Sequence, residues 1–126
     1  MTIKILGNGT QTQKDKVQKA LQLAGIDTEI IRKIEVYNTN NIANLAKVSG
    51  FDISTGETVE GFAVLPSQEL GKFGPGNRIV LAGRCKDLTF VTLHEVGHLV
   101  NGRIVDFTES EIEASKYATA KLGRVF

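Results

Sequence analysis

The sequence predicts an α+β fold, with mixed, mostly strand-forming segments first and two helices at the end. The β-prone runs end near Gly83, and the helical patterns cover Leu88–Asn101 and about Thr108–Leu122. Strands followed by helices are typical of α+β domains. A length of 126 residues favours one domain, which we expect to span residues 1–126.

The start of the chain predicts a strand followed by a helix. Thr2–Leu6 is a β-prone run, and the GNGT segment after it is a turn signal. From about Gln13 the apolar residues recur at helical spacing, and Gly25 is a plausible stop. The apolar face of this helix consists of Val17, Ala20, Leu21 and Ala24.

Residues 26–48 allow more than one interpretation. A further helical turn would use Asp27 as its N-cap and would bury Ile30, Ile31 and Ile34. The segment Ile34–Tyr37 also suits an extended strand. The NTNN segment is a loop, and the NIANLAKV segment (41–48) fits either a helix or a strand.

The middle of the chain predicts a β-hairpin and then a separate strand. Two β-prone runs flank the turn signal Ser54–Glu57, and Pro66 ends the second run. The segment Gly71–Asn77 is rich in Gly and Pro and predicts a mobile loop. Arg78–Gly83 then predicts another strand.

The first of the two C-terminal helices contains both histidines of the chain. Asp87 is a good N-cap for this helix, and Gly102 is a good stop. His94 and His98 are four residues apart, so they lie on one face of the helix, one turn apart. The two imidazoles can therefore face a single point.

The segment HEVGH predicts a zinc site. Neutral imidazole is a zinc ligand, and a catalytic zinc site commonly has three protein ligands and a water. Glu95 is rotated away from the line of the histidines, so its carboxylate can act as a general base on metal-activated water. His-Glu-x-x-His on a helix is the metallopeptidase motif with this mechanism. A glycine inside a helix lowers its stability by about 1 kcal/mol relative to alanine. Gly97 therefore predicts that another backbone approaches the helix closely at this position.

The third ligand must be a carboxylate or Cys85, because the chain has no other histidine. Glu111 begins a stripe of the last helix whose small residues allow close packing on the histidine helix. That stripe consists of Glu111, Ala114, Ser115, Ala118 and Leu122. The weaker candidates are Glu113, Glu109 and Asp106. Cys85 is more typical of a small buried hydrophobe.

Two capping boxes compete at the start of the last helix. The box Thr108–Glu111 would turn Glu111 back onto its own backbone. The box Ser110–Glu113 would leave Glu111 free to reach the histidines.

At these residues the chain resembles the gluzincins, zinc peptidases with His-Glu-x-x-His on one helix and a glutamate ligand on the next. HEVGHLV followed by ESEIEASKYATA looks like the ImmA/IrrE-like family and the prenyl-protease and heat-shock-protease family. In both patterns the glutamate three residues before an alanine is the ligand. Ala114 aligns with that alanine, so the resemblance selects Glu111. Ser115 stands where the families have Asn or Asp, a residue that supports a ligand.

The resemblance implies a small zincin-like domain, with a short mixed or antiparallel sheet and the histidine helix packed against the C-terminal helix. It covers about residues 61–120, and Gly61–Pro66 matches the edge strand that pairs with extended substrate. Residues 77–83 match the strand that leads toward the histidine helix. Such enzymes often add a His, Tyr or Arg that stabilises the tetrahedral intermediate. The candidates here are Tyr37, Tyr117, Arg78 and Arg103, and none of them is favoured.

We therefore expect a zinc-dependent endopeptidase that acts on an extended protein or peptide substrate. Its zinc ligands would be His94, His98 and Glu111, and Glu95 would be the general base. The alternative is a non-catalytic zincin-fold protein that binds or regulates a partner and retains the zinc site. The ImmA/IrrE-like resemblance also allows a protein of a phage or mobile element that cleaves a repressor.

Composition excludes several other classes. The formal net charge is +1 and no long run has one sign, which argues against a nucleic-acid partner. The single cysteine excludes an internal disulfide. The first residues lack a signal-peptide core, and no apolar run is long enough to span a bilayer. We expect a cytoplasmic protein without a membrane span.

Overall fold

A computed structural model describes residues 3–65, 76–102, 104 and 106–123 of the chain. The strands in these ranges are β1 (Ile5–Leu6), β2 (Lys33–Tyr37), β3 (Gly61–Val64) and β4 (Arg78–Ala82). The α-helices are α1 (Gln11–Ala24), α2 (Ala43–Val48), α3 (Leu88–Asn101) and α4 (Phe107–Leu122), and Gly25–Ile30 forms a 3-10 helix. The predicted α+β class is confirmed.

The strands form one mixed sheet in the order β1-β2-β4-β3. β1, β2 and β4 are parallel, whereas β3 pairs antiparallel with β4, from Gly61 opposite Leu81 to Val64 opposite Arg78. β3 is thus an edge strand, and no strand of the described ranges pairs with its outer side. The predicted mixed sheet with an edge strand is confirmed.

The alternation of side chains along the strands divides the apolar core between the two faces of the sheet. Ile79 and Leu81 of β4 pack in the larger cluster, with residues of α1, α3 and α4. Val80 and Ala82 pack in the smaller cluster, with Ala46 of α2. The histidine helix therefore lies over one face of the sheet and α2 over the other.

The first helix matches the sequence prediction closely. Its buried residues are Val17, Ala20, Leu21 and Ala24, which are the predicted apolar face. It begins at Gln11, slightly before the predicted start, because Thr10 and Gln13 form a capping box there. Gly25 ends it with a positive φ of 64°.

The segment after α1 corrects two expectations. Asp27 lies inside the 3-10 helix and is not its N-cap, which is Ala24. Ile31 and Ile34 are buried as predicted, but Ile30 is exposed because the tight 3-10 turn directs it outward. The structure also decides the open alternatives, since residues 33–37 form β2 and residues 43–48 form α2.

The predicted hairpin is wrong. The Ser54–Glu57 turn is present, with the Glu57 N–H donating to the Ser54 carbonyl over 3.1 Å. Its first arm does not form a strand, because β3 takes its backbone partners from β4, far along the chain. Strand β1 covers only the end of the predicted Thr2–Leu6 run. Pro66 and most of Gly71–Asn77 lie outside the described residues.

The two C-terminal helices are close to prediction. The Asp87 side chain accepts a hydrogen bond from the Phe90 N–H, and Gly102 ends α3 with a φ of 68°. α4 packs on α3 at Gly97, where an added Cβ would lie 3.0 Å from the Ala114 carbonyl oxygen and 3.0 Å from Tyr117 Cβ. The predicted close approach at Gly97 is confirmed. Within the described ranges, every helix is too short or too polar to cross a membrane.

Candidate metal centre

Three of the predicted site residues meet between α3 and α4. Nε2 of His94 is 2.6 Å from Oε2 of Glu111, and Nε2 of His98 is 3.3 Å from the same oxygen. The ligand atoms of the three side chains all lie within 4.8 Å of one another. The two imidazole rings are nearly perpendicular, with centroids 4.8 Å apart. The helical spacing and the packing of α4 thus place two imidazole nitrogens and one carboxylate at a single point.

Two serines of α4 support the histidines from behind. The Ser115 hydroxyl lies 3.2 Å from Nδ1 of His94, and the Ser110 hydroxyl lies 3.2 Å from Nδ1 of His98. When each Nδ1 donates its proton to a serine oxygen, the Nε2 lone pair is free for a ligand. Ser115 thus provides the contact to a ligand that the Asn or Asp of the resembled families was expected to provide.

Ser110 was missed by sequence reasoning as a supporting residue. It precedes Glu111 directly, and Ser115 follows Glu111 by four residues, so all three point toward α3. A helical wheel drawn around Glu111 would have grouped Glu111 with Ser115. It would have left Ser110 at the margin of the stripe.

Neither predicted capping box determines the direction of Glu111. Asp106 caps α4 by accepting the Glu109 N–H over 2.9 Å, which leaves Glu111 free to face the histidines. Because Asp106 accepts this hydrogen bond, its carboxylate is directed at the start of α4 and not at the histidines. Glu113 forms an ion pair with Lys116 over 3.4 Å. Glu109 is exposed. Of the four carboxylates considered, only Glu111 lies at the histidines.

Cys85 does not join the centre. It packs against the larger apolar cluster, and burial raises the pKa of its thiol to about 11. A thiolate is the form that binds metal, so this environment disfavours ligation. Its assignment as a small buried hydrophobe fits these surroundings.

Glu95 is buried yet has no hydrogen-bonding partner. It is 6% exposed, and no described residue donates a hydrogen bond to its carboxylate. The side chain instead lines the cleft that contains His94, His98 and Glu111. Burial raises the Glu95 pKa to about 7, with His94 opposing the shift and Glu111 adding to it. No side-chain oxygen of the described residues is both sealed from solvent and unpartnered, so the Glu95 carboxylate oxygens open onto the cleft.

Glu111 has the opposite electrostatic environment. Two hydrogen bonds, the stronger influence from His94 and the weaker from His98, hold the pKa of its carboxyl at about 2. Partial burial acts in the opposite direction. The carboxylate therefore stays ionised at neutral pH. A carboxylate oxygen beside two imidazole nitrogens is a donor set of the kind that binds zinc.

The separation of two of the ligand atoms matches what zinc requires. Zinc bonds to imidazole nitrogen and carboxylate oxygen at about 2.0–2.2 Å, so tetrahedral ligand atoms lie about 3.3 Å apart. The separation of His98 Nε2 and Glu111 Oε2 is 3.3 Å. The shorter His94–Glu111 contact is a hydrogen bond that a metal bond would replace. Donor types and supporting contacts both fit the ion.

The centre opens into a cleft of about 660 Å³, within the range of small-molecule and peptide sites. One wall is the edge strand β3 and the segment before it, residues 51–60. At Gly61 an added Cβ would lie 2.9 Å from Val91 Cγ1 and 3.2 Å from Oε2 of Glu95. The edge strand therefore runs directly beside the Glu95 carboxylate.

The candidates for stabilising an oxyanion lie elsewhere. The Tyr37 hydroxyl and the Arg78 guanidinium both hydrogen-bond to Glu35. The Tyr117 hydroxyl donates to Asp27 over 2.6 Å. Burial is the larger cause that raises the Tyr117 pKa, and this hydrogen bond is the second. None of these three side chains lines the cleft. The fourth candidate, Arg103, lies outside the described residues.

Comparisons with family models, curated proteins and solved structures find no significant match. The resemblance to the gluzincins therefore stays a prediction carried by the motifs and by the geometry described above.

Proposed function

We propose that this protein is a zinc-dependent endopeptidase of the gluzincin type, with a zincin-like fold. The observation that carries the proposal is the meeting of His94, His98 and Glu111 beside the buried, unpaired carboxylate of Glu95. Two imidazoles and a carboxylate are a zinc peptidase ligand set, and the adjacent glutamate is the base that this chemistry requires.

In this proposal each side chain has a separate task. Bound zinc would supply a Lewis acid that makes water nucleophilic near neutral pH. His94, His98 and Glu111 hold the ion, and Ser115 and Ser110 orient the imidazoles. Glu95 accepts the proton of the attacking water and then donates it to the amine that leaves when the peptide bond breaks.

The substrate would bind as an added strand. The outer edge of β3 has no strand partner within the described residues, so its backbone groups can pair with an extended peptide. Gly61 lies beside Glu95, and Phe62–Leu65 continue along the cleft. A peptide along this edge would pass next to both the base and the candidate metal centre.

The proposal is tested by zinc-dependent cleavage of an unstructured protein such as casein. We expect the zinc-loaded protein to cleave it, chelation to stop cleavage, and added zinc to restore it. The same protein with Glu95→Gln should keep zinc and cleave nothing. Stoichiometric zinc without cleavage by the wild type would favour the alternative, a non-catalytic protein that retains the site.

A further inference from the structure

The cleft differs in charge from the rest of the molecule. The chain as a whole is nearly balanced, with 15 basic and 14 acidic residues. Among the described residues that line the cleft, none is Lys or Arg. The acidic side chains there are Asp52, Glu57, Glu60, Glu95 and Glu111. The described lining of the cleft is therefore locally negative, on a chain whose net charge is slightly positive.

Two of these carboxylates are available to a ligand. Asp52 and Glu60 are exposed, and neither makes a hydrogen bond or ion pair with a described residue through its side chain. Glu57 is less available to a ligand, because its carboxylate already accepts a hydrogen bond from the Ser54 N–H over 3.0 Å. Glu60 directly precedes the edge strand, so a peptide on that edge would pass close to it.

The remaining wall of the cleft is apolar and aromatic. Phe51 and Phe62 form a tilted pair with ring centroids 5.2 Å apart. Phe90 lies beside His94, with ring centroids 6.2 Å apart. Phe107 stands at the start of α4 and is 76% exposed. Phe107 is the exposed ring of this group, and an aromatic surface at a cleft favours apolar side chains and the aliphatic stems of basic ones.

A second observation indicates that this surface is a binding site and not only a cluster of acids. Glu95 is more than nine-tenths buried, has no hydrogen-bonding partner among described residues, and faces the same cleft. Its carboxylate oxygens are the part of this side chain that stays open to the cleft, where a ligand can supply the missing hydrogen bond.

We infer that the cleft selects extended peptide segments that carry basic and apolar side chains and disfavours acidic ones, with Asp52 and Glu60 as the specificity-determining residues. The inference rests on the proposed function for its location, but its physical basis is charge complementarity in a partly desolvated cleft. A Lys or Arg of the substrate would approach Asp52 or Glu60 while neighbouring apolar residues pack on Phe51 and Phe107.

The test uses three synthetic decapeptides with the same apolar residues and with Lys, Gln or Glu at two fixed positions. Binding is measured by fluorescence anisotropy on zinc-loaded protein with Glu95→Gln, so that nothing is cleaved. We expect the Lys peptide to bind about tenfold more tightly than the Glu peptide at low salt, with the Gln peptide between them. Added salt should reduce this ratio, because the carboxylates are exposed.

A pair of matched variants locates the effect. The double variant Asp52→Asn, Glu60→Gln should bind the Lys peptide and the Glu peptide with nearly equal affinity, so the ratio of the two affinities should be close to one. Asp15→Asn with Glu29→Gln removes the same charge from exposed residues outside the cleft and should leave the ratio unchanged. Equal binding of the three peptides, no binding, or a ratio that survives the cleft variants would each overturn the inference.

Cleavage of the same peptides by the zinc-loaded wild type separates the two proposals. Preferential binding of the Lys peptide without cleavage of any peptide would contradict the peptidase and leave the inference standing. Cleavage of all three peptides at equal efficiency would contradict the inference and leave the peptidase standing.

Discussion

Glu35 and Glu95 are both almost fully buried, at 4% and 6% exposure, but their surroundings differ in every respect. Glu35 alternates with Ile34 and Val36 on β2, so it points to the face of the sheet opposite α3. There it accepts hydrogen bonds from Tyr37 and from Arg78, the latter over 2.9 Å, and Lys33 lies 3.6 Å away.

Among the residues that the structure describes, Glu95 has no comparable partner. It faces the cleft on α3, and burial moves its pKa upward. Burial also acts to raise the pKa of Glu35, but the bonds from Tyr37 and Arg78 outweigh it and the net shift is downward. Burial of a carboxylate therefore does not by itself indicate function. A buried carboxylate with complete partners stabilises the fold, whereas one that lacks them and opens into a cleft is a candidate for a functional role.

The largest expected effect comes from exchanging each glutamate for glutamine. Glu95→Gln should lower peptide cleavage by about 10²–10⁴-fold, because it removes the general base. It should leave the thermal midpoint unchanged or raise it, because an unpaired carboxylate no longer has to be buried. Cleavage kinetics and thermal unfolding measure the two effects.

Glu35→Gln should do the reverse. Cleavage per folded molecule should stay near the wild-type level, while unfolding becomes easier by about 1–3 kcal/mol through the weakened bonds to Tyr37 and Arg78. If both variants lost activity alike, or both lost stability alike, the distinction between the two glutamates would be wrong.

A smaller effect is expected at the serines behind the histidines. Ser115→Ala and Ser110→Ala each remove a hydrogen-bonding partner of an imidazole Nδ1 and should weaken zinc binding by about 10–100-fold. Thr108→Ala, also on α4 but exposed and outside the cleft, is the control and should leave affinity unchanged. Competition with a zinc-binding dye measures all three. Equal affinities for the serine variants and the control would contradict the supporting role.

Gly61→Ala should have a milder effect on catalysis. The new Cβ would crowd Val91 and the Glu95 carboxylate, so the base would shift from its position beside the edge strand. We expect a reduction in kcat of about tenfold with unchanged zinc content. A wild-type kcat for Gly61→Ala would show that the close approach has no catalytic consequence.

The smallest effect concerns acid stability. The folded pKa of Glu35 lies below its ordinary value of 4.5, so its ionised form stabilises the fold above that pH. This contribution is lost as the pH falls through the folded pKa. The difference in unfolding free energy between wild type and Glu35→Gln should therefore be smaller at pH 3 than at pH 7. Urea unfolding at both pH values measures it, and a constant difference would refute this role of ionised Glu35.

Local signals explain why parts of the fold were predictable from sequence. Helix α3 has the predicted bounds because Asp87 and Gly102 act on their own backbone neighbours. The apolar face of α1 follows from its spacing alone. Glu111 was favoured among four carboxylates by the stripe of small residues on α4, and the family resemblance through Ala114 pointed to the same residue.

Non-local features were not predictable in the same way. β3 finds its partner in β4 and not in the run before the Ser54–Glu57 turn, since strand pairing depends on tertiary packing. The cap of α4 is Asp106, although two other capping boxes were available in the sequence. Gly97 predicted the close approach of the two helices, but which side chains of α4 then face the two imidazoles depends on tertiary packing, so the Ser110 contact was not predicted.

The central claim is that His94, His98 and Glu111 bind one zinc ion. The most direct measurement is the metal content of the protein by mass spectrometry after zinc loading and desalting. We predict one zinc per chain in the wild type and in Glu113→Ala, and a large loss in Glu111→Ala. A wild type without stoichiometric zinc, or a Glu111→Ala variant that retains it, would contradict the account.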